Sequence, residues 1–329
     1  MKVKTNAEKE WLRSLAAGRS RDVEVHEIPR RETEALQPEK EPEKKSRRGF
    51  GDVAGMDELK QLVTEGFINI LNNRECAKAF GITPPSLLFY GPAGCGKTYF
   101  AEKIAEEVGI NFIKVVPDDL ASTLVHGTQE KIGEVFRKAE MSAPTLIFFD
   151  EFDAMVPRRT NDDRSYQNGE TNEFLCMLNN ASQKGVYVLA ATNHPERIDK
   201  AVLRTGRIDE MIYVDMPDTK ARESLFRLEL SKLPKAEDID YGRLADLTIG
   251  YNCSDISYIV KVASRKKFNE SIQEKDRPYK VITQNLLEDA ISHKSPSVTV
   301  RELREFERVR SEFSPKDEGC KPVTVGFQL

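Results

Sequence analysis

Between residues 86 and 214 a short run rich in apolar residues recurs five times, each followed by a longer stretch in which apolar and charged residues mix at helical spacing. The runs are Ser86–Tyr90, Asn111–Val115, Thr145–Asp150, Val186–Ala191 and Met211–Val214. Unbroken apolar segments such as Leu146, Ile147, Phe148 and Phe149 predict strands buried on both faces, as in a parallel sheet, with helices in the intervals. The pattern changes after Pro217, where Thr219–Lys232, Tyr241–Leu247, Ser254–Asn269 and Thr283–Ile291 read as helices and no long strand follows. The expected layout is an α/β domain over residues 49–217 and a smaller all-helical domain over residues 218–329. The tail Ser314–Leu329, with Pro315 and Pro322, reads as extended or as one more packed segment.

Residues 1–48 break the pattern. They are charged, contain Pro29, Pro38 and Pro42, and carry few apolar residues after Leu15. Such a segment buries too little apolar surface to offset the entropy of ordering, so a largely disordered arm is expected. Within it Trp11, Leu12 and Leu15 lie at helical spacing, and Trp11 is the chain's one tryptophan. A short amphipathic helix there would dock on a partner or on the protein's own body; a helical end that packs nowhere fits equally well.

The full chain of 329 residues has room for two domains and a sizeable core, and 32 % charged residues suit an aqueous surface. A formal net charge of -4 gives no electrostatic reason to expect nucleic-acid binding. No apolar run approaches the roughly 20 residues of a membrane span, and the first residues lack a signal peptide's apolar core, so a cytoplasmic location is expected. The five cysteines are scattered without a C-x-x-C pair, which suggests neither a zinc site nor a disulfide framework.

Candidate chemistry begins directly after the first apolar run. Gly91, Pro92, Ala93, Gly94, Cys95, Gly96, Lys97 and Thr98 read G-x-x-x-x-G-K-[ST], and a helix-like stretch starts at Tyr99. Glycines let backbone N–H groups converge on a polyphosphate, the helix adds the positive end of its dipole, and Lys97 supplies a point charge. Thr98 is placed to hold magnesium through its hydroxyl. Asp150 and Glu151 follow the third run, at the strand end where an α/β sheet binds its ligand. Asp150 would orient the magnesium shell and Glu151 would polarise an attacking water. Cys95 has two readings: a small residue where the loop has no room, or a thiol activated by the helix end and Lys97.

Together these residues closely resemble the AAA+ superfamily of P-loop ATPases, in its classical AAA branch. Beyond GPAGCGKT and LIFFDEFD, the stretch ATNHPERIDKAVLRTGRIDEMIYVDMPD is similar to that branch's second region of homology. FGDVAGMDEL, GYNCSDI and the terminal KPVTVGF are similar to further family signatures. The resemblance implies ATP and Mg2+ as ligands, a P-loop sheet with helices on both faces and a helical domain behind it. It implies a sensor role for Asn193, toward the attacking water or the γ-phosphate, and a role for Arg204 and Arg207 in the nucleotide site of a neighbouring subunit. A site completed in that way demands a ring, with a homohexamer as the expected active form. Adenine is expected against Asp52, Val53 and Ala54 on one side and Cys253 and Ser254 on the other. Ala54 stands where the family usually has glycine, and Glu229 where many members have a histidine near the ribose.

By the same resemblance Val125, His126 and Gly127 fall in the loop that lines the ring's pore, here without the aromatic residue that grips a polypeptide in many members. The basic stretch Arg158 to Asn168 is a second pore candidate. The expected function is ATP-driven remodelling, unfolding or disassembly of a protein partner. A nucleotide-dependent scaffold or switch that threads nothing is the first alternative, and a DNA-directed AAA+ motor is a weaker one.

Overall fold

The computed structural model describes residues 49–121, 127–158, 165–179, 181–204, 206–273 and 279–313. The arm of residues 1–48, with Trp11, and the tail from Ser314 lie outside the described residues. The rest is an α/β P-loop fold followed by a helical region.

The α/β part opens with a 3-10 turn at Gly49–Asp52 and helices α1 (Asp57–Val63) and α2 (Arg74–Ala79). Strand β1 (Leu87–Tyr90) then leads into α3 (Lys97–Val108), β2 (Asn111–Val115), α4 (Gly127–Met141) and β3 (Thr145–Phe149). Helix α5 (Ser165–Leu178), β4 (Val186–Thr192) and β5 (Glu210–Tyr213) complete it. Every pairing is parallel and the strand order is β2-β3-β4-β1-β5.

The apolar runs are unbroken because both faces of the sheet are covered. Leu88, Ile147, Phe149, Val188 and Ala190 enter one buried cluster, while Leu87, Phe89, Leu146, Phe148 and Leu189 enter the cluster on the other face. Each fully buried Phe contributes about 1.5–3 kcal/mol in transfer terms. All five expected strands form, with ends that differ by a residue. β3 stops at Phe149, so Asp150 begins the turn after it instead of closing the strand, and β5 starts and stops one residue earlier than its apolar run.

The helical region comprises α6 (Thr219–Leu230), α7 (Tyr241–Leu247), α8 (Cys253–Gln273) and α9 (Gln284–Ser292), around a third core with Phe226, Leu244, Ile259 and Leu287. Asp218 and Asp240 cap α6 and α7 by accepting from the backbone N–H groups of Ala221 and Arg243. The buried Arg222 donates to Pro217 O and Ala245 O, which ties α6 to the linker before it. A further helix, α10 (Val300–Phe313), was not among the expected elements. It returns to the α/β core: Leu303 packs on the second cluster, Phe306 lies 6.5 Å from the Tyr213 ring on β5, and the Arg310 guanidinium sits 5.1 Å above that ring.

Candidate functional site

The carboxyl ends of β3, β4 and β1 lie side by side in the sheet, and each delivers one part of the site. From β1 comes the glycine loop. Gly91 leaves the strand at φ 144°, and a Cβ there would fall 2.2 Å from Val214 O, so only glycine passes so close to β5. Gly96 brings the loop into α3 in the left-handed conformation with no side-chain cap. The first-turn N–H groups of α3 therefore remain available to an anion.

Lys97 begins α3 and is buried. Its ammonium donates to Gly91 O and Pro92 O, both at 2.8 Å, and to Asn193 Oδ1 at 2.6 Å. Burial lowers its pKa to about 8, although Cys95 and Asp150 pull the other way. The next residue, Thr98, donates through Oγ1 to Asp150 Oδ2 at 3.0 Å.

β3 delivers Asp150 and Glu151. Besides Thr98, Asp150 faces the Lys114 ammonium from β2 at 3.0 Å, and its backbone N–H donates to Val115 O. Glu151 is exposed and stands at φ 52°, ψ 45°. Such a left-handed conformation costs a non-glycine residue about 1–3 kcal/mol and persists mostly where function demands it. It turns the Glu151 side chain off the strand line and into solvent beside Asp150. β4 ends in Thr192, whose hydroxyl donates to Asp153 Oδ1 at 2.5 Å and accepts from His194 N at 2.8 Å. This pair of bonds brackets Asn193 and holds it against Lys97.

Asp52, Val53 and Ala54, expected against adenine, line a cavity of ≈ 370 Å³, with Ser224, Arg227 and Leu228 of α6 opposite. The Tyr99 hydroxyl of α3 donates to Asp52 O at 3.1 Å and Lys60 of α1 to Val53 O at 2.8 Å, fixing this opening segment to both helices. Cys253 and Ser254 start α8, and Ser254 N donates to Gly94 O at 3.1 Å. Glu229 accepts from the Ser257 hydroxyl at 2.6 Å.

The activated reading of Cys95 is corrected. Its side chain is fully buried, with Sγ 3.6 Å from Met216 Sδ, and burial pushes the thiol up to about 12, overriding Lys97. A small residue fills this place because the loop's underside is packed.

Arg204 is exposed, and among the described residues its guanidinium makes no hydrogen bond or ion pair. Arg207 is half-buried and donates to Ala201 O at 2.6 Å. Val125 and His126 lie outside the described residues; Gly127 is buried at the start of α4. Of the basic stretch, Arg158 donates its backbone N–H to Arg197 O, and residues 159–164 are again outside.

Three partners escaped the sequence reading: Lys114 on Asp150, the Thr192–Asp153 pair, and Asn252, whose amide donates to Ala93 O at 3.0 Å. Only Lys114 carried a signal, as the lone charge in an otherwise apolar strand end.

The residues present fit a nucleoside triphosphate with a magnesium ion. Glycines stand where a Cβ would collide with Val214 and Asn252, a buried ammonium stands beside the loop, and a hydroxyl and a carboxylate of magnesium-binding type meet next to it. The model of the ATPase family associated with various cellular activities (AAA) matches residues 87–216. The chain is also similar to a cell division cycle protein 48 homolog from Archaeoglobus fulgidus, with 35 % identity over 273 residues. That alignment covers 80 % of this chain and 37 % of the relative, so the chain spans well under half the relative's length.

Proposed function

Because this chain carries an AAA ATPase domain of the classical AAA+ branch, we propose that it hydrolyses ATP to ADP and phosphate and, as a homohexameric ring, uses the cycle to remodel, unfold or disassemble a protein partner. The observation that carries the hydrolytic part is the meeting of Lys97, Thr98, Asn193, Asp150 and Glu151 at three adjacent strand ends.

Lys97 neutralises the outer phosphates when they displace it from its carbonyl partners. Asn193 presents a neutral amide beside them. Thr98 and Asp150 would hold magnesium, which when bound would supply charge neutralisation. Glu151 orients and polarises the water, helped by a backbone that aims it away from the strand.

Arg204 supports the ring. A guanidinium exposed and without a partner among the described residues suits the equatorial oxygens of a phosphate held by a neighbour, an effect worth about 10³–10⁵ in rate in related P-loop enzymes. The protein partner rests on the branch signature and on a net charge of -4 that does not favour nucleic acid. No described helix is long and apolar enough to cross a membrane. The absence of an aromatic residue at Leu124–Gly127 favours the nucleotide-dependent switch as second reading.

Mixing tests the ring. Arg204→Ala subunits and Glu151→Gln subunits are each expected to bind ATP and turn it over poorly, and their mixture to recover activity at interfaces that pair an intact Arg204 with an intact Glu151. A mixture that assembles without recovery contradicts the shared site. Val125→Asp with His126→Asp separates the mechanisms, since threading fails in that variant and switching survives.

A further inference from the structure

The helical region touches the phosphate loop directly, and it does so through backbone carbonyls. Ala93 O accepts from Asn252 Nδ2 at 3.0 Å, and Gly94 O accepts from Ser254 N at 3.1 Å and from Ser254 Oγ at 3.5 Å. A trans peptide is planar, with its N–H opposed to its C=O. Drawing the Ala93 and Gly94 carbonyls toward α8 therefore turns the N–H groups of Gly94 and Cys95 the opposite way. Convergent N–H groups are what a polyphosphate needs, whereas a carbonyl turned inward would repel it.

Asn252 is built for this task. It is buried at 3 % exposure, and both ends of its amide are committed. Oδ1 accepts from Asp255 N at 2.7 Å, capping α8, so the NH₂ end must face Ala93. Asp255 is itself fixed by Ser297, through N at 3.0 Å and Oγ at 2.5 Å, and by the Lys294 ammonium at 2.7 Å. Gly94 makes the approach possible: it stands at φ 76°, and a Cβ there would fall 2.5 Å from Asn252 Nδ2. A residue 159 positions away along the chain thus enters the loop where a side chain is missing.

We propose that Asn252 is a positioning residue for nucleotide binding: its amide holds the Ala93 peptide with the carbonyl outward, so that the loop is pre-formed for phosphate only while the helical region is docked on it. This rests on the ATP reading above. It makes the docking of α8 and the affinity of the loop one event, since undocking removes the donors from both carbonyls together.

Two substitutions separate this role from the cap. Asn252→Asp and Asn252→Ser both keep an oxygen that accepts from Asp255 N, so the fold persists. Neither can donate to Ala93 O, the first for want of N–H and the second for want of reach. With magnesium and ATP, both variants are expected to raise KM and the nucleotide Kd between about threefold and about tenfold, the value of one lost hydrogen bond, with kcat within about twofold of wild type. Hydrogen exchange at Gly94 and Cys95 in the nucleotide-free protein is expected to quicken in both, while the α8 amides keep their protection. Wild-type affinity and exchange in both variants overturn the proposal. So does a loss confined to Asn252→Asp, which would report the added negative charge and not the missing donor. If the wild type binds no ATP, the ATP reading fails, and the exchange at Gly94 and Cys95 still decides whether Asn252 holds the loop.

Discussion

Raising the pH across the titration of Lys97 weakens ATP binding and strengthens the unliganded fold at the same time. In the free protein burial brings this ammonium to about 8 from an ordinary 10.5. Phosphates beside it restore the charged form, so the bound pKa lies above the free one and binding above pH 8 must take up a proton. Affinity then falls toward about tenfold per pH unit, giving about 30-fold, or about 2 kcal/mol, between about pH 7 and about pH 9.5. The fold responds with the opposite sign. Between about 8 and 10.5 the unfolded chain holds a proton that the folded chain has released, so stability rises with pH by up to about 3 kcal/mol from this group. Calorimetric titration of ATP in buffers of different ionisation heat measures affinity and proton uptake together. Flat affinity over this range, or a loss without proton uptake near pH 9, refutes the reasoning. Cys95 and Cys253, raised to about 12 and about 11, do not titrate within it.

Two further outcomes follow from burial. Alkylation at neutral pH, read by mass spectrometry, is expected to modify the exposed Cys76 and Cys176 long before Cys95, and equal rates would contradict its packing under the loop. Asp255→Asn is expected to cost about 2–3 kcal/mol in denaturant unfolding, because it leaves the Lys294 ammonium without its carboxylate. Burial pushes the Asp255 carboxyl up, but the bonds from Lys294 and Ser297 outweigh it and hold the group below 3.8. Its contribution is therefore full above 3.8 and lost as the pH falls further, and the Asn variant is expected to lose that part of the acid sensitivity.

The sheet and the strand ends that carry the candidate site were legible because each is written in consecutive residues. Leu146 to Phe149 announce a doubly covered strand, and Asp150 and Glu151 follow at its end. The glycine loop is legible for the same reason. Contacts that join distant segments were not: Asn252 reaches Ala93 from the helical region, and Asp153 meets Thr192 from the short helix after another strand. Cys95 was open to misreading because a helix dipole and a lysine lie within two residues of it, whereas Met216, which covers it, is remote in sequence. Helix α10 escaped because, among its described side chains, the apolar ones that face inward are Leu303, Phe306 and Val309, a thin stripe along a mostly charged segment. The strain at Glu151 has no sequence signature, since nothing but the fold places a glutamate at positive φ.

The most direct test of the account is Glu151→Gln, with bound nucleotide and released phosphate measured in parallel in the presence of magnesium. The change keeps size and one acceptor oxygen, leaves Lys97, Thr98 and Asp150 intact, and removes the carboxylate to which the account assigns the polarisation of water. The account predicts ATP affinity within a few-fold of wild type and phosphate release slowed by at least about a hundredfold. Phosphate release at the wild-type rate from a Glu151→Gln protein saturated with ATP would contradict it.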